Sequence, residues 1–204
     1  YPQRSHPPPV TPGSASTMHS MTDELASYVE RALQGDRSAV EALLSELRPG
    51  VLRYCRARLG RLHGSYGSAD DVTQEVCMAV VTALPRWVDQ GRPFTALVYG
   101  IAAHKVADAQ RHSMRDRSDA VPFLPESADV GAGPEELAVG ADEAARAHAL
   151  LDRLPAPQRE VLLLRVVAGL SAEETAAAIG STAGAVRVAQ HRALARLRAL
   201  AIEP

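Results

Sequence analysis

His104, Asp108 and His112 fall at i, i+4 and i+8 in the stretch FTALVYGIAAHKVADAQRHS, and a row of imidazole, carboxylate and imidazole has the donor types of a transition-metal site. The spacing argues against one. On an α-helix His104 and His112 point about 80° apart and stand two turns from each other, a poor geometry for sharing one tetrahedral ion. The same helix offers a polar side instead. Leu97, His104, Asp108 and Arg111 lie opposite an apolar stripe of Val98, Ala102, Val106 and Ala109, and Lys105, His112, Arg115 and Arg117 add positive charge towards its end.

Two further stretches carry patterned polar groups. In SADDVTQEV, residues 68–76, and the residues after it, Asp71, Gln74, Glu75 and Met78 recur at i, i+3, i+4 and i+7, nearly opposite Val72, Val76, Val80 and Leu84. Two carboxylates flanking an amide and a methionine suit docking on a basic protein surface, and they equally suit an ordinary water-facing side. Near the C-terminus, LSAEETAAAIGSTAGAVRVAQHRALARLRAL reads as a short helix, a turn at Gly180 to Thr182, and a longer helix, which is helix-turn-helix geometry. Val186, Gln190, Ala193, Leu197 and Leu200 share one side of the longer helix. Arg187, His191, Arg192, Arg196 and Arg198 project from the remaining arc, with no acid between Glu174 and Glu203. Arginines on such a helix can contact phosphates or guanine edges, although a small bundle with a solvated face shows the same pattern.

Signals for catalysis are absent. The chain has no glycine-rich phosphate loop ending in Gly-Lys-Ser or Gly-Lys-Thr, no Gly-x-Ser-x-Gly elbow and no His-Glu-x-x-His, so no reaction, catalytic residue, metal or cofactor is expected. Cys55 and Cys77 each sit in an apolar helical pattern without a Cys-x-x-Cys, and read as core thiols in a reducing compartment. No run of 18 apolar residues and no signal-peptide pattern occurs, which predicts a soluble cytoplasmic protein without membrane insertion.

The elements that must position these groups are helical throughout. The 204 residues are 46 % apolar, 23 % charged and 4 % aromatic, a composition that favours an all-α fold, and the net charge of -2 averages over segments of opposite sign. Residues 1–21, rich in proline, are expected to be a disordered extension. Thr22 is the expected cap of a first helix through Leu25, Val29 and Leu33, stopped by Gly35. Asp36 would cap a second helix carrying Val40, Leu43, Leu44 and Leu47, bending or restarting at Pro49 before Val51, Tyr54 and Cys55. Ser68 and Asp71 form a capping-box-like opening to a helix that ends at Pro85. A loop from Arg86 to Pro93 follows, then a helix from Phe94 to about Ser113. Pro122, Pro125 and Pro134 interrupt residues 114–141, and between Asp119 and Glu143 there are seven acidic residues and no basic one, which marks a flexible acidic linker. Helices are then expected near 142–153, 157–168, 172–179 and 183–200, with Pro157 at N1, Gly169 as a stop and Ser171 with Glu174 as a capping box. The predicted architecture is all-α, with two small helical domains, 22–113 and 142–204, joined by the linker.

In this order, SADDVTQEV, FTALVYGIAAHKVADAQR and LPAPQREVLLLRVVAGLSAEETAAAIGSTAGAVRVAQHRALARLR resemble an extracytoplasmic-function (ECF) σ factor of the bacterial σ70 family, over about residues 22–200. The wording of GIAAHKVADA and TAGAVRVAQHRALARL is similar to the actinobacterial SigD-type subgroup. The resemblance implies a first domain, σ2, that grips the β′ clamp helices of RNA polymerase core through Asp71, Gln74 and Glu75. The same domain would melt and read the promoter -10 element with Arg86, Trp87, Arg92, His104, Lys105, Asp108 and Arg111. It implies a second domain, σ4, that docks on the β flap and reads the -35 element with Ser181, Thr182, Arg187, Val188, His191 and Arg192. An anti-σ factor is a further partner that the family brings. Ala96 stands where the family often has Trp, His104 where it has Asn, and Val188 and Ala189 where it often has Ser and Arg, departures that bear on promoter preference. A conventional dimeric helix-turn-helix regulator acting without polymerase is the competing reading, and a helical adaptor that binds protein alone is a third.

Overall fold

The computed structural model describes residues 14–60, 68–119 and 145–202, all in helices, turns and short connections without strands. Two compact units, residues 1–43 and 44–204, divide the chain within its second helix.

In the first unit, α1 spans Ser14–Leu33. Thr22 is therefore not its start. Nothing in SASTMHSM breaks a helix, so the turns propagate back as far as Ser14. The expected extension is thus helical from Ser14, and its residues 1–13 lie outside the described residues. Gly35, at φ +88°, ends α1 and turns the chain into α2 (Arg37–Leu59). Val29, Ala32, Ala39 and Leu43 are buried, with Ala32 inside where Leu33 was expected and Leu33 left 42 % exposed. Asp36 caps α2 as expected. Its Oδ1 accepts from the Ser38 and Ala39 amides at 2.9 and 3.2 Å, and its Oδ2 accepts from Arg31 at 2.5 Å. The Ser38 hydrogen bond, then Arg31, pull the Asp36 carboxyl from its ordinary 3.8 down to about 2. Because the folded value lies below the unfolded one, this cap contributes stability above about pH 4 and loses it as pH falls through 2. Asp36 should therefore titrate near 2 by NMR, with the Ser38 and Ala39 amides losing exchange protection across the same window; titration at the ordinary value would remove the cap.

In the second unit α2 continues through Pro49 without the expected restart. Proline removes one helical hydrogen bond, and the burial of Gly50, Val51, Tyr54 and Cys55 immediately afterwards keeps the chain helical despite that loss. Ser68 caps α3 (Ala69–Ala83) in a reciprocal box: its hydroxyl accepts from the Asp71 amide at 3.2 Å, and Asp71 accepts from the Ser68 amide at 3.1 Å. Val72, Val76, Val80 and Leu84 form the buried stripe of α3 and pack on α4 (Phe94–Asp119), which contributes Val98, Ala102 and Val106. Each fully buried valine adds roughly 1.5–3 kcal/mol. The fourth helix runs past the expected end at Ser113, because MRDRSD contains no breaker and the next proline is Pro122. Of the expected linker, residues 114–119 thus belong to α4 and 120–141 lie outside the described residues.

The C-terminal helices are α5 over 145–152, α6 (Ala156–Leu162) running into a π-turn (Leu163–Val167), α7 (Ala172–Ile179) and α8 (Ala183–Ile202). Pro155 takes the N-cap of α6, so Pro157 stands one place later than the expected N1, still where its missing N–H costs nothing. Ser171 and Glu174 close the expected capping box, and Gly169 and Gly180 take positive φ at the helix ends. Val161, Ala172, Ala176 and Val186 form one buried cluster, and Leu154, Leu162 and Ala193 another, so α6, α7 and α8 share a core. Cys55 is buried and Cys77 half-buried, both as free thiols that burial pushes above the usual range. Among the described residues no helix is long and apolar enough to cross a membrane.

Candidate nucleic-acid interface

The loop after α3 is shaped by its own chemistry. A 3₁₀ turn, Leu84–Arg86, carries the chain past Pro85. Asp89 then accepts from the Gly91 amide at 2.8 Å, and Gly91 takes φ +75°, which reverses the loop towards Pro93. Trp87 stacks edge-to-face on Phe94 at the first turn of α4, with centroids 5.4 Å apart and planes at 89°. The loop is thereby pinned alongside α4, and a groove of about 790 Å³ lies between them.

Arg86, Trp87 and Arg92 line this groove from the loop, and His104, Lys105 and Asp108 from the helix. An indole with cationic side chains around it fits single-stranded nucleic acid, whose bases stack and whose phosphates pair with cations. Arg111, expected in the same set, does not line the groove and pairs instead with Asp108 one turn back. The groove also takes in Val88, Gln90, Ala96 and Gly100. Gly100 had a sequence signal, a glycine inside a helical pattern, and the groove gives it a physical reason: a Cβ there meets no atom within 4 Å and points into open space.

The acidic set of α3 is divided by the structure. Asp71, Gln74 and Glu75 are all exposed, with Met78 64 % exposed beside them. Asp71 is occupied in capping, while Glu75 accepts from Lys105 Nζ at 2.9 Å. Glu75, Arg86 and Lys105 share a second, shallower groove, so the expected docking set and the expected DNA set meet along one edge.

In the helix-turn-helix, Gly180 turns in the left-handed region and the Ser181 amide reaches back to the Ala176 carbonyl at 2.8 Å. Thr182 accepts from the Ala185 amide at 3.2 Å and so caps α8. Arg187, Val188, His191 and Arg192 are exposed on α8, with Val186 and Ala193 buried beneath. Arg187 is paired with Glu173 of α7 at 2.5 Å, and Glu173, held first by its own amide and then by Arg187, has its carboxyl below the usual range. Were α8 to meet a duplex, Glu173→Gln would free Arg187 and remove a negative charge beside it, tightening duplex binding about two- to fivefold. Titration with labelled duplex checks this, and unchanged affinity would mean Arg187 does not meet DNA.

Two family models match the chain in succession: Sigma-70 region 2 over residues 43–116 and Sigma-70 region 4 over residues 144–197. The ECF RNA polymerase sigma factor SigD of Mycobacterium tuberculosis is 57 % identical over 189 residues, covering 93 % of this chain and 89 % of that one. The chain belongs to the ECF σ factors. Another relative, the ECF RNA polymerase sigma factor ShbA of Streptomyces griseus, is 54 % identical over 184 residues, 88 % of this chain and 96 % of its own. Among solved structures, that of CnrH in complex with the cytosolic domain of CnrY matches with a TM-score of 0.63 at 25 % identity, over 88 % of this ECF σ factor and 96 % of that chain. The groove and the acidic face of α3 fall inside the region 2 match, and Arg187, His191 and Arg192 inside the region 4 match.

Proposed function

We propose that this ECF σ factor opens and reads the -10 element with the groove between the Arg86–Pro93 loop and α4, reads the -35 element with α8, and grips polymerase with the exposed face of α3. As a member of its family it is a promoter-specific initiation factor for RNA polymerase. It has no reaction of its own and acts where polymerase and promoters are, in the cytoplasm. The observation that carries the reading is the convergence of Arg86, Trp87, Arg92, His104, Lys105 and Asp108 on one groove, which joins a stacking surface to cations. Arg111 is the member of the -10 set with least support, because it stands outside that groove. Gln74 and Glu75 are the members of the docking set not engaged in capping, and the β′ clamp helices are the surface they would meet. Docking of σ4 on the β flap follows from family likeness. On α8, Arg187, His191 and Arg192 are the contacts proposed for -35 bases or phosphates, with Ser181, Thr182 and Val188 near the backbone. CnrH, seen in complex with the cytosolic domain of CnrY, supports an anti-σ factor as a further partner. The region 2 match over residues 43–116 stands against the dimeric regulator, since it occupies the part of the chain that reading needs as a sensor. Run-off transcription with purified core and a promoter library tests the proposal: promoter-selective transcripts support it, and tight duplex binding with a two-fold footprint in the absence of polymerase would replace it.

A further inference from the structure

The outward side of α8 is not evenly polar. At about 100° per residue, Gly184, Val188 and Ala195 fall within about 40° of one another, opposite the buried Val186 and Ala193, and form the most outward line of the helix. Arg187 flanks this line on one side and Arg192 on the other, with His191 close to it. Gly184, Ala185 and Val188 are all exposed in the first two turns. Thr182, the polar residue just before them, has its hydroxyl oxygen engaged by the Ala185 amide. A Cβ placed on Gly184, one turn before Val188, meets no atom within 4 Å, so the start of this apolar ridge faces open space. Other large apolar residues of α8 go to the core: Val186 is buried in one cluster, and Leu194 and Leu197 pack against another. Val188 is left 50 % exposed. A single surface valine is ordinary in itself. Its place among Arg187, His191 and Arg192, on the helix assigned to DNA, is what offers it a partner.

We infer that Val188 reads the C5 methyl group of a thymine in the -35 element, with Gly184 leaving room for the duplex to approach. The inference rests on the assignment of α8 to -35 DNA. Recognition helices of this motif meet base edges with their N-terminal residues, and here Gly184, Ala185 and Val188 have no side-chain donor or acceptor to offer. Of the four bases, only thymine shows the major groove an apolar group. That methyl stands at the edge of the groove beside its own strand's sugar–phosphate chain, so a side chain held near the backbone reaches it. A cytosine in the same place puts a hydrogen there and leaves the isopropyl group against an unfilled gap. A purine presents polar groups that a valine cannot pair. Selectivity at this position is therefore for methyl over hydrogen and needs no hydrogen bond, while phosphate contacts from the flanking arginines would fix the register without carrying sequence.

Holoenzyme assembled with the full chain tests this on the -35 sequence that it selects from a library of duplexes. Each thymine of that sequence is replaced in turn by deoxyuridine, which deletes the methyl and keeps every hydrogen-bonding group, and binding is compared for wild type and Val188→Ala. Burial of one methyl is worth about three- to fivefold in affinity, so at one thymine the swap should weaken wild type by that factor and leave Val188→Ala unaffected. Cytosine at that position should weaken wild type as well, and 5-methylcytosine should recover most of the loss, whereas Val188→Ala should bind the two alike. Val188 lies outside the core, so the variant keeps its fold, which circular dichroism confirms. A wild type that tolerates every deoxyuridine while still rejecting a scrambled -35 sequence overturns the methyl contact and leaves α8 as the -35 reader. An equal loss in both proteins gives the methyl to another side chain and overturns the role of Val188. Binding indifferent to scrambling instead overturns the assignment of α8, and the inference with it.

Discussion

Glu75→Arg should abolish retention of the protein on RNA polymerase core while leaving its thermal unfolding nearly unchanged. Glu75 is in the middle of α3, exposed, and paired among the described residues with the half-exposed Lys105, a kind of surface pair worth about 0–1 kcal/mol. Reversing its charge against a basic docking surface costs several kcal/mol, which is a loss of about a hundredfold or more in affinity. Asp71→Arg is the less informative change, because removing the capping carboxylate also weakens the start of α3 by roughly 0.5–2 kcal/mol. Co-purification with core, set beside a melting curve, separates docking from folding. Normal retention of Glu75→Arg would take this residue out of the polymerase grip and leave it as the partner that orients Lys105.

Gly100→Leu should block promoter opening without harming the fold or the polymerase contact. A side chain at this position enters the groove and meets no protein atom within 4 Å at its Cβ, so the fold has no reason to resist it. A nucleotide in the same space does: overpacking costs about 1–3 kcal/mol, a reduction of roughly five- to hundredfold in run-off product. Gly100→Ala is the control. It should stabilise α4 by about 0.5–1 kcal/mol, since glycine is a poor helix former, and leave transcription largely intact. Full transcription by the leucine variant would show that DNA does not fill the groove near Gly100.

The parts of this σ factor that could be read directly from the chain are those whose partners lie within a turn or two. Ser68 with Asp71, Ser171 with Glu174 and Asp36 before α2 cap helices by contacts three residues or fewer away, and such spacing carries its own geometry. The stripes Val72 to Leu84 and Val98 to Val106 were legible for the same reason, as was the turn from Gly180 to Thr182. Where local rules misled, a non-local force or a missing breaker was responsible. Pro49 does not end α2, because the residues after it are buried, and α1 and α4 overrun their expected ends where nothing in the chain stops them.

The sequence by itself determined that this is an all-α protein with an acidic face on α3, a basic side on α4 and a helix-turn-helix at its end, because periodicity decides which residues share a helical face. Only the tertiary structure decided how those faces combine. It gave Glu75 to Lys105, set Arg111 outside the groove, and brought Tyr54 to Glu160 and Thr95 to Glu174. Contacts of that kind depend on the path of the backbone between distant positions, and residue spacing along the chain carries no record of that path.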